Sequence, residues 1–144
     1  MPLFIALVLG LVFPFAFAPF GYWWLAPLLL VGVFLNWRAQ PRQAALRGFV
    51  FGLGFFGHGI GWMQVSIHQF GLPLYSFSVT MTALFVAFMA CYPALIAWLS
   101  RRLRAGSEGL RLGLLVPALW TLGEWARGWL FSGFPWLILG DSHT

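Results

Sequence analysis

The sequence predicts an all-α fold, a polytopic transmembrane helix bundle of about five spans with a cytoplasmic N-terminus. Composition is the first observation behind this prediction. The chain has 144 residues, of which 61% are hydrophobic and only 8% charged, and its mean hydropathy is +0.87. A soluble domain is about 45–50% apolar and about 25% charged. Because a soluble core of this length cannot bury so much apolar surface, we expect a lipid bilayer to surround the chain.

Five separate apolar segments are the second observation, and we predict that they are the spans of a single transmembrane domain covering residues 1–144. The segments are residues 3–18, 23–37, 48–67, 76–99 and 112–131. A spanning helix needs about 17–25 apolar residues, which the last three segments supply. The first two are shorter, and Pro19 and Gly21 between them favour a tight turn, so we predict a helical hairpin. An Ala-Phe-Ala stretch at 16–18 resembles a signal-peptide cleavage site, but no positive residue precedes the first segment, and we favour a retained helix.

The basic residues set the predicted orientation. All of them are arginine, and seven fall in the loops after the second and fourth segments, namely Arg38, Arg42, Arg47, Arg101, Arg102, Arg104 and Arg111. Cytoplasmic loops of membrane proteins collect such residues. We therefore predict that loops 38–47 and 101–111 are cytoplasmic and that the fifth segment exits outward. No nucleic-acid partner is predicted, because these arginines lie between apolar runs, where orientation signals belong.

The third and fourth segments carry features that favour packing over chemistry. Six glycines recur at spacings of four and seven residues in the third segment: Gly48, Gly52, Gly54, Gly57, Gly59 and Gly61. Glycine lets membrane helices approach closely, so we predict a packing face along one side, with His58 as a hydrogen-bonded interior group. His58 and His68 lack the short spacing of a paired ligand site, and no metal is predicted. Cys91 has no acid or base in its segment to activate it, and we predict a buried, inert thiol.

The fifth segment contains the stretch "GEWARGWLFSGFPW", in which Glu124 and Arg127 share a helix face and can pair. Counting about 1.5 Å per residue from Arg111 places them about 20–24 Å across the membrane, near the outer headgroups. Ionisable residues there usually face a cavity and mark function, although an arginine reaching lipid phosphates, with Glu124 as counter-ion, is equally consistent. Residues 133–135 are expected to end the helix, which leaves Trp136 at the outer interface.

Three stretches together resemble the N-terminal membrane region of bacterial apolipoprotein N-acyltransferase: "FAFAPFGYWWLAP", "GFVFGLGFFGHGIGWMQVSIHQFGLP" and "PALWTLGEWARGWLFSGFPWLILG". The third is the most specific, because it keeps a placed Glu, Arg, Pro and Trp. The resemblance implies a multi-pass enzyme of the bacterial inner membrane. It implies acyl transfer from a phospholipid to the N-terminal diacylated cysteine of a lipoprotein, through a thioester and without metal or diffusible cofactor. It also implies a Glu-Lys-Cys triad in a periplasmic nitrilase-like domain late in the chain.

The chain departs from that pattern in its reactive residues. It has no lysine, and its one cysteine lies inside the fourth segment, so no catalytic residue is predicted and Glu124 belongs to a different motif. We expect a truncated or frameshifted chain that lacks the catalytic domain and is catalytically silent. We expect Glu124, Arg127 and Trp136 to bind substrate: Arg127 would hold a phosphate, Glu124 would hold Arg127, and Trp136 would set depth. The structural alternative is that the charged pair only pins its helix.

Two other classes of function stay open on the residues alone. Five spans with a glycine-rich helix also suit a small transporter or channel, although no second half resembles the first. A non-enzymatic membrane assembly partner is the other class. Flux in proteoliposomes would identify the first, and co-purification with a bound protein would identify the second.

Overall fold

The computed structural model describes residues 1–39, 41–71 and 74–143, and every regular element in that part of the chain is helical. The α-helices are α1 (Pro2–Val12), α2 (Leu25–Ala39), α3 (Ala44–Gly59), α4 (Met63–Phe70), α5 (Tyr75–Arg102), the one-turn α6 (Glu108–Leu110) and α7 (Val116–Arg127). Short 3-10 segments are Phe13–Ala16, Pro41–Gln43, Leu130–Ser132 and Leu139–His143, and a π-helical turn, Arg111–Leu115, joins α6 to α7. The all-α prediction is confirmed. Three predictions include residues outside this part of the chain. The arginine-rich loop 38–47 includes residue 40, the second of the three family-like stretches includes residues 72–73, and the transmembrane domain 1–144 includes residue 144.

Among the described residues, α5 is the one helix both long and apolar enough to cross a membrane. It has 28 residues, and its most apolar 18-residue window has a mean hydropathy of 2.0. The helical stretch Pro2–Ala16 and helix α2 are apolar but shorter. Length and composition therefore single out one span, and the five-span bundle with a cytoplasmic N-terminus stays a prediction.

Helix α2 lies two residues later than the second predicted segment, whereas α1 ends at Val12 and the first segment continues as the 3-10 segment Phe13–Ala16. The turn between α1 and α2 is where Pro19 and Gly21 predicted it. Gly21 has φ +69°, and its amide donates to the carbonyl of Phe17 at 3.0 Å. A positive φ strains residues with a β-carbon but not glycine. The turn thus uses the one residue of this stretch that takes the required conformation freely.

The third segment is broken, so the prediction of one helix over 48–67 is wrong. Helix α3 ends at Gly59, and residues 60–62 form a turn before α4. Ile60 is fully buried with φ −121° and ψ 12°, outside the helical region. The Leu137 side chain occupies the space that a β-carbon on Gly59 would need. Each glycine lowers the stability of a helix by about 1 kcal/mol relative to alanine. The glycines at positions 57, 59 and 61 therefore weaken the helix where Leu137 packs against it.

The fifth segment also ends earlier than predicted, because α7 stops at Arg127 instead of continuing over 112–131. The amide of Gly128 donates to two carbonyls of the last turn, and the amide of Phe134 returns to the carbonyl of Arg127 at 2.9 Å. Gly133 makes this return possible: its φ is +74°, and a β-carbon there would strike the Gly128 carbonyl. The residues predicted to stop the helix instead turn the chain back after it has stopped.

Helix α3 lies at the centre of the fold, between α1 and α5. A β-carbon on Gly48 or Gly52 would strike the backbone of α5, and one on Gly54 would strike the backbone of α1. The predicted packing role of the glycines is confirmed for these three. They serve two opposite partners rather than one side, and Gly61 lies beyond the end of the helix.

Aromatic rings fill the space around α3. Phe13, at the end of α1, lies edge-on to Phe51 and Phe55 with ring centroids 5.7 and 5.1 Å apart. Trp120 of α7 stacks on Phe13 at 6.3 Å and on Trp37 of α2 at 6.4 Å. Such pairs contribute about 0.5–1.5 kcal/mol each beyond area burial, so this cluster joins α1, α2, α3 and α7.

Both arginine-rich loops lie at one end of the bundle, formed by the last turns of α2 and α5 together with α6, which we call the arginine end. The Glu108 carboxylate contacts three guanidinium groups there: Arg38 at 3.9 Å, Arg101 at 3.2 Å and Arg111 at 3.1 Å. Arg111 also donates to two carbonyls at the C-terminus of α5. One carboxylate, which no sequence pattern had singled out, thus joins the end of α2 to the end of α5 and to the turn before α7.

We expect Gly52→Ala to lower the free energy of unfolding by about 1–3 kcal/mol. The new β-carbon would lie 2.7 Å from Ala90 Cα and 2.8 Å from Pro93 Cγ. Gly57→Ala on the same helix is the matched control, because its β-carbon would meet only Val86 Cγ1, at 3.9 Å. Thermal unfolding in detergent, followed by circular dichroism, measures both variants. Equal melting temperatures would contradict the close backbone packing.

We expect the stability of the chain to fall at acid pH through Glu108. A hydrogen bond from Arg101, reinforced by the charges of Arg101 and Arg111, holds the pKa of this carboxyl below its ordinary value. A lowered pKa stabilises the fold above the unfolded value of about 4.3, and that contribution disappears as pH falls through the folded pKa. Glu108→Gln should therefore melt lower than wild type at neutral pH and show a shallower acid-side decline. An unchanged decline in this variant would exclude Glu108 as a source of the pH dependence.

Candidate functional site

After α7 the chain folds back across the end of the bundle opposite the arginine end. We call residues 134–139 the return segment. Leu137 is buried and fills the space beside Gly59 at the end of α3. The Trp136 ring packs against the ring of Trp62, with centroids 5.5 Å apart, and stays half exposed. This segment therefore lies on the point where α3 breaks.

Glu124 and Arg127 hold the return segment through its backbone. Glu124 Oε1 accepts a hydrogen bond from the amide of Leu139 at 2.8 Å, and the Arg127 guanidinium donates to the carbonyl of Leu137 at 3.2 Å. The guanidinium carbon also lies 5.1 Å from the centre of the Phe56 ring. Among the described residues no ion pair within 4 Å joins Glu124 to Arg127, so the predicted direct contact is not formed, although their opposite charges still attract each other at longer range. The fold-back of the chain offers each side chain a backbone partner instead.

The structure brings the three sequence-predicted site residues to one place but gives them different exposure. Arg127 is only 4% exposed, whereas Trp136 is 48% exposed. Glu124 and Arg127 line a cavity of about 20 Å³ together with Tyr92 and Trp120, which is room for about one water molecule. Trp136 faces larger spaces on the other side of the return segment.

One of these spaces is an open groove of about 360 Å³, which we call the outer groove. Its walls come from the hairpin turn after α1, the end of α3 and the return segment, and they include the rings of Phe20, His58, Trp62 and Trp136. A second cavity of about 200 Å³ shares the Trp136 and Leu137 wall and adds Asp141. Aromatic walls with a few polar groups suit an amphipathic ligand.

His58 is a polar side chain in the wall of the outer groove. Its Nδ1 lies 2.7 Å from the carbonyl of Leu11. Because a carbonyl only accepts, Nδ1 carries the hydrogen, and in the neutral ring Nε2 is an acceptor. The hydrogen bond predicted for His58 is confirmed, but its interior location is wrong, since the side chain is exposed. The sequence pattern did not signal the groove, which forms only when the hairpin turn and the return segment meet.

Cys91 lies outside this site. The predicted burial of its side chain is wrong: it is exposed, and its thiol donates to the carbonyl of Ala87 at 3.4 Å. The face of α5 packed against α3 carries Ala90, Pro93 and Ala97, and Cys91 points away from it. Within the part of the chain that the structure describes, no group of three or more His, Cys, Asp or Glu side chains is placed to hold a metal ion.

Comparison with known proteins gives this arrangement a family. The family model for the apolipoprotein N-acyltransferase N-terminal domain matches residues 9–144 of this chain. That range includes α2 to α7, the return segment and the outer groove. The chain belongs to this family. The resemblance stated from the sequence is therefore confirmed.

Relatives carry the name apolipoprotein N-acyltransferase in several bacteria. The protein of Methylococcus capsulatus is 50% identical over 141 residues, that of Pasteurella multocida 41% over 141 residues, and that of Haemophilus influenzae 39% over 137 residues. The alignments cover 97%, 97% and 94% of this chain but 28%, 26% and 25% of those relatives. The chain thus spans about a quarter of the length of the relatives that it matches.

We expect Glu124→Ala to release the return segment, because the Leu139 amide loses its acceptor. Hydrogen exchange measured on peptides covering residues 134–139 should become faster, while exchange in α3 stays unchanged. Glu124→Gln is the matched control, since its amide oxygen can still accept from Leu139. Protection of residues 134–139 in the alanine variant equal to that in the wild type would show that the carboxylate does not hold the segment.

Proposed function

We propose that the chain is the membrane-embedded N-terminal part of an apolipoprotein N-acyltransferase. Such an enzyme transfers an acyl chain from a phospholipid to the N-terminal diacylglyceryl-cysteine of a lipoprotein, a step of lipoprotein maturation. The family match over residues 9–144 is the observation that carries the proposal. Phospholipid and diacylated lipoprotein are then the partners, and the transfer requires no cofactor.

We further propose a multi-pass protein of the bacterial inner membrane with its arginine end at the cytoplasmic face. Arg38 of α2 and Arg101 of α5 meet at Glu108, so both arginine-rich loops lie at one end. Asn36 Nδ2 donates to the carbonyl of Pro2 at 3.1 Å, which puts the N-terminus at that end too. Positive loops favour the cytoplasm, and the return segment then lies at the outer face.

Within the site, we propose that Trp136 contacts the lipid substrates and that Glu124 and Arg127 position it. The contacts favour this division over direct phosphate binding by Arg127. Its guanidinium is buried, already donates to the return segment, and opens only onto a cavity of about 20 Å³. The outer groove, by contrast, is open and amphipathic, and Trp136 forms part of its wall.

A chimera tests the proposed function. Residues 1–144 replace the matching region of the Methylococcus capsulatus relative, and the chimera is assayed for acylation of a diacylated lipopeptide in phospholipid vesicles. We expect transfer within about tenfold of the parent enzyme, because half of the residues are already identical. A folded, membrane-inserted chimera without activity would overturn the proposal. The 144-residue chain alone should show no transfer, since it has no lysine and no acid or base among the described residues contacts its thiol.

Arg127→Lys in the same chimera separates the two roles of this residue. Lysine keeps the charge and one hydrogen bond to the Leu137 carbonyl, but it cannot bind a phosphate through paired N–H groups. A positioning role predicts activity close to that of the unmodified chimera. A loss of activity with unchanged hydrogen exchange in the return segment would instead assign Arg127 to phosphate binding.

A further inference from the structure

The face of α5 that points away from α3 carries a continuous row of exposed side chains. They follow one another at intervals of three or four residues, which places them on one side of a helix. Five are apolar and the last is a cation; we call them the α5 stripe: Leu84, Phe88, Cys91, Leu95, Trp98 and Arg102. The stripe is apolar along most of its length and positively charged at the arginine end. A lipid molecule has a matching arrangement, with an apolar tail and a polar headgroup.

An open apolar groove of about 180 Å³ crosses the middle of the stripe. One wall is α5, at Phe88, Cys91 and Leu95, and the other is Leu130 with Phe131. Phe131 closes the far end by packing edge-on against Phe88, with ring centroids 5.5 Å apart. At about 1.5 Å per residue the groove runs from about 10 to about 21 Å from Arg102. One leaflet of a bilayer core is about 15 Å thick, so an acyl chain starting near Arg102 reaches the groove.

Arg102 supplies the charged end of the stripe. Its guanidinium carbon lies 5.9 Å from the centre of the Trp98 ring. It makes no hydrogen bond or ion pair with the residues that the structure describes, and the one acid at this end, Glu108, is already held by Arg38, Arg101 and Arg111. Arginine binds phosphate oxygens through paired N–H groups, and an exposed tryptophan suits the membrane interface.

From these features we infer that the α5 stripe binds one anionic phospholipid, with its phosphate on Arg102 and an acyl chain in the groove beside Phe88 and Leu95. The site is distinct from the outer groove. It depends on the proposed membrane insertion but not on acyl transfer. The surplus of arginine at this end favours an anionic headgroup, because each basic residue near a membrane surface adds about 1 kcal/mol of attraction.

A second copy of the chain fits this face less well than a lipid. A symmetric dimer buries the same patch of both copies, so it would bring two Arg102 groups to one interface without an acid to neutralise them. A nucleic acid would satisfy the arginines and leave the apolar groove empty. A phospholipid meets both demands at once.

The test uses the 144-residue chain in nanodiscs of phosphatidylcholine that contain a phosphatidylglycerol with a photoreactive diazirine midway along one acyl chain. Both faces of a nanodisc carry the same lipids, so the result does not depend on orientation. Mass spectrometry should place the adducts in residues 88–95 and 130–131. Arg102→Gln should reduce this labelling about fivefold, the equivalent of one arginine–headgroup contact. Arg104→Gln, which removes the same charge just beyond α5, is the matched control and should change labelling less than about twofold.

Leu95→Trp provides a second variant that keeps every charge. A larger exposed ring should fill the groove and reduce labelling of residues 88–95 while the helical content stays unchanged. Several results would overturn the inference: equal losses with Arg102→Gln and Arg104→Gln, adducts on other faces, or equal labelling by a phosphatidylcholine probe. Cross-links to a second copy through the stripe would also overturn it, as would a stripe that the probe cannot label in native membranes because another protein covers it.

Discussion

The close approach of α3 to both α1 and α5 is the constraint on which the rest of the structure depends. Without a side chain at Gly48, Gly52 and Gly54, the backbones of three helices meet directly. Membrane helices gain little from burying apolar side chains, since lipid is equally apolar, and close packing takes over that role. The same contact decides which face of α5 is covered, and it leaves the α5 stripe facing outward.

The return segment, which packs on the break at the end of α3, explains why two charged side chains lie in an apolar run. Irregular backbone is tolerated at membrane depth only where its amides and carbonyls find partners. An unpaired buried peptide group costs several kcal/mol in an apolar medium. Glu124 and Arg127 supply an acceptor and a donor for Leu139 and Leu137. A charged pair in an apolar run is thus explained by the backbone that folds back over it, before any ligand is considered.

Local patterns in the sequence predicted the local features of the fold. Apolar composition predicted helices, Pro19 and Gly21 predicted the hairpin turn, and the glycine spacing predicted close packing. The features that these local patterns could not predict depend on contacts between residues distant in sequence. Leu137 packs beside Gly59 at the end of α3, and no pattern near residue 59 shows that this distant residue lies there.

The candidate site shows the same difference between local features, which the sequence predicted, and contacts between distant residues, which it did not. Glu124 and Arg127 were identified because a charged pair is conspicuous in an apolar segment, but their partners were not, since the fold-back at Gly133 brings Leu137 and Leu139 to them. The exposure of Cys91 was missed because α5 is apolar on all sides, so its sequence does not show which side faces α3. Glu108 was missed because the arginines near it, Arg101 and Arg111, were interpreted only as orientation signals, and because its contact with Arg38 of α2 forms only in the folded chain.

Arg127 and Arg102, at opposite ends of the bundle, have contrasting surroundings, and this contrast connects the proposed functions. Arg127 is buried and its guanidinium donates a hydrogen bond to the Leu137 carbonyl. It can therefore position the return segment but is poorly placed to bind a ligand. Arg102 is exposed over Trp98 and has no hydrogen-bond or ion-pair partner among the described residues. The Trp98 ring already restricts the orientation of the Arg102 guanidinium. Binding of a phosphate therefore costs little additional conformational entropy of this side chain. Charge thus stabilises both ends of the bundle, through Arg127 at one end and through the contacts of Glu108 at the other, and the proposed lipid contact falls to Arg102, which these contacts leave exposed.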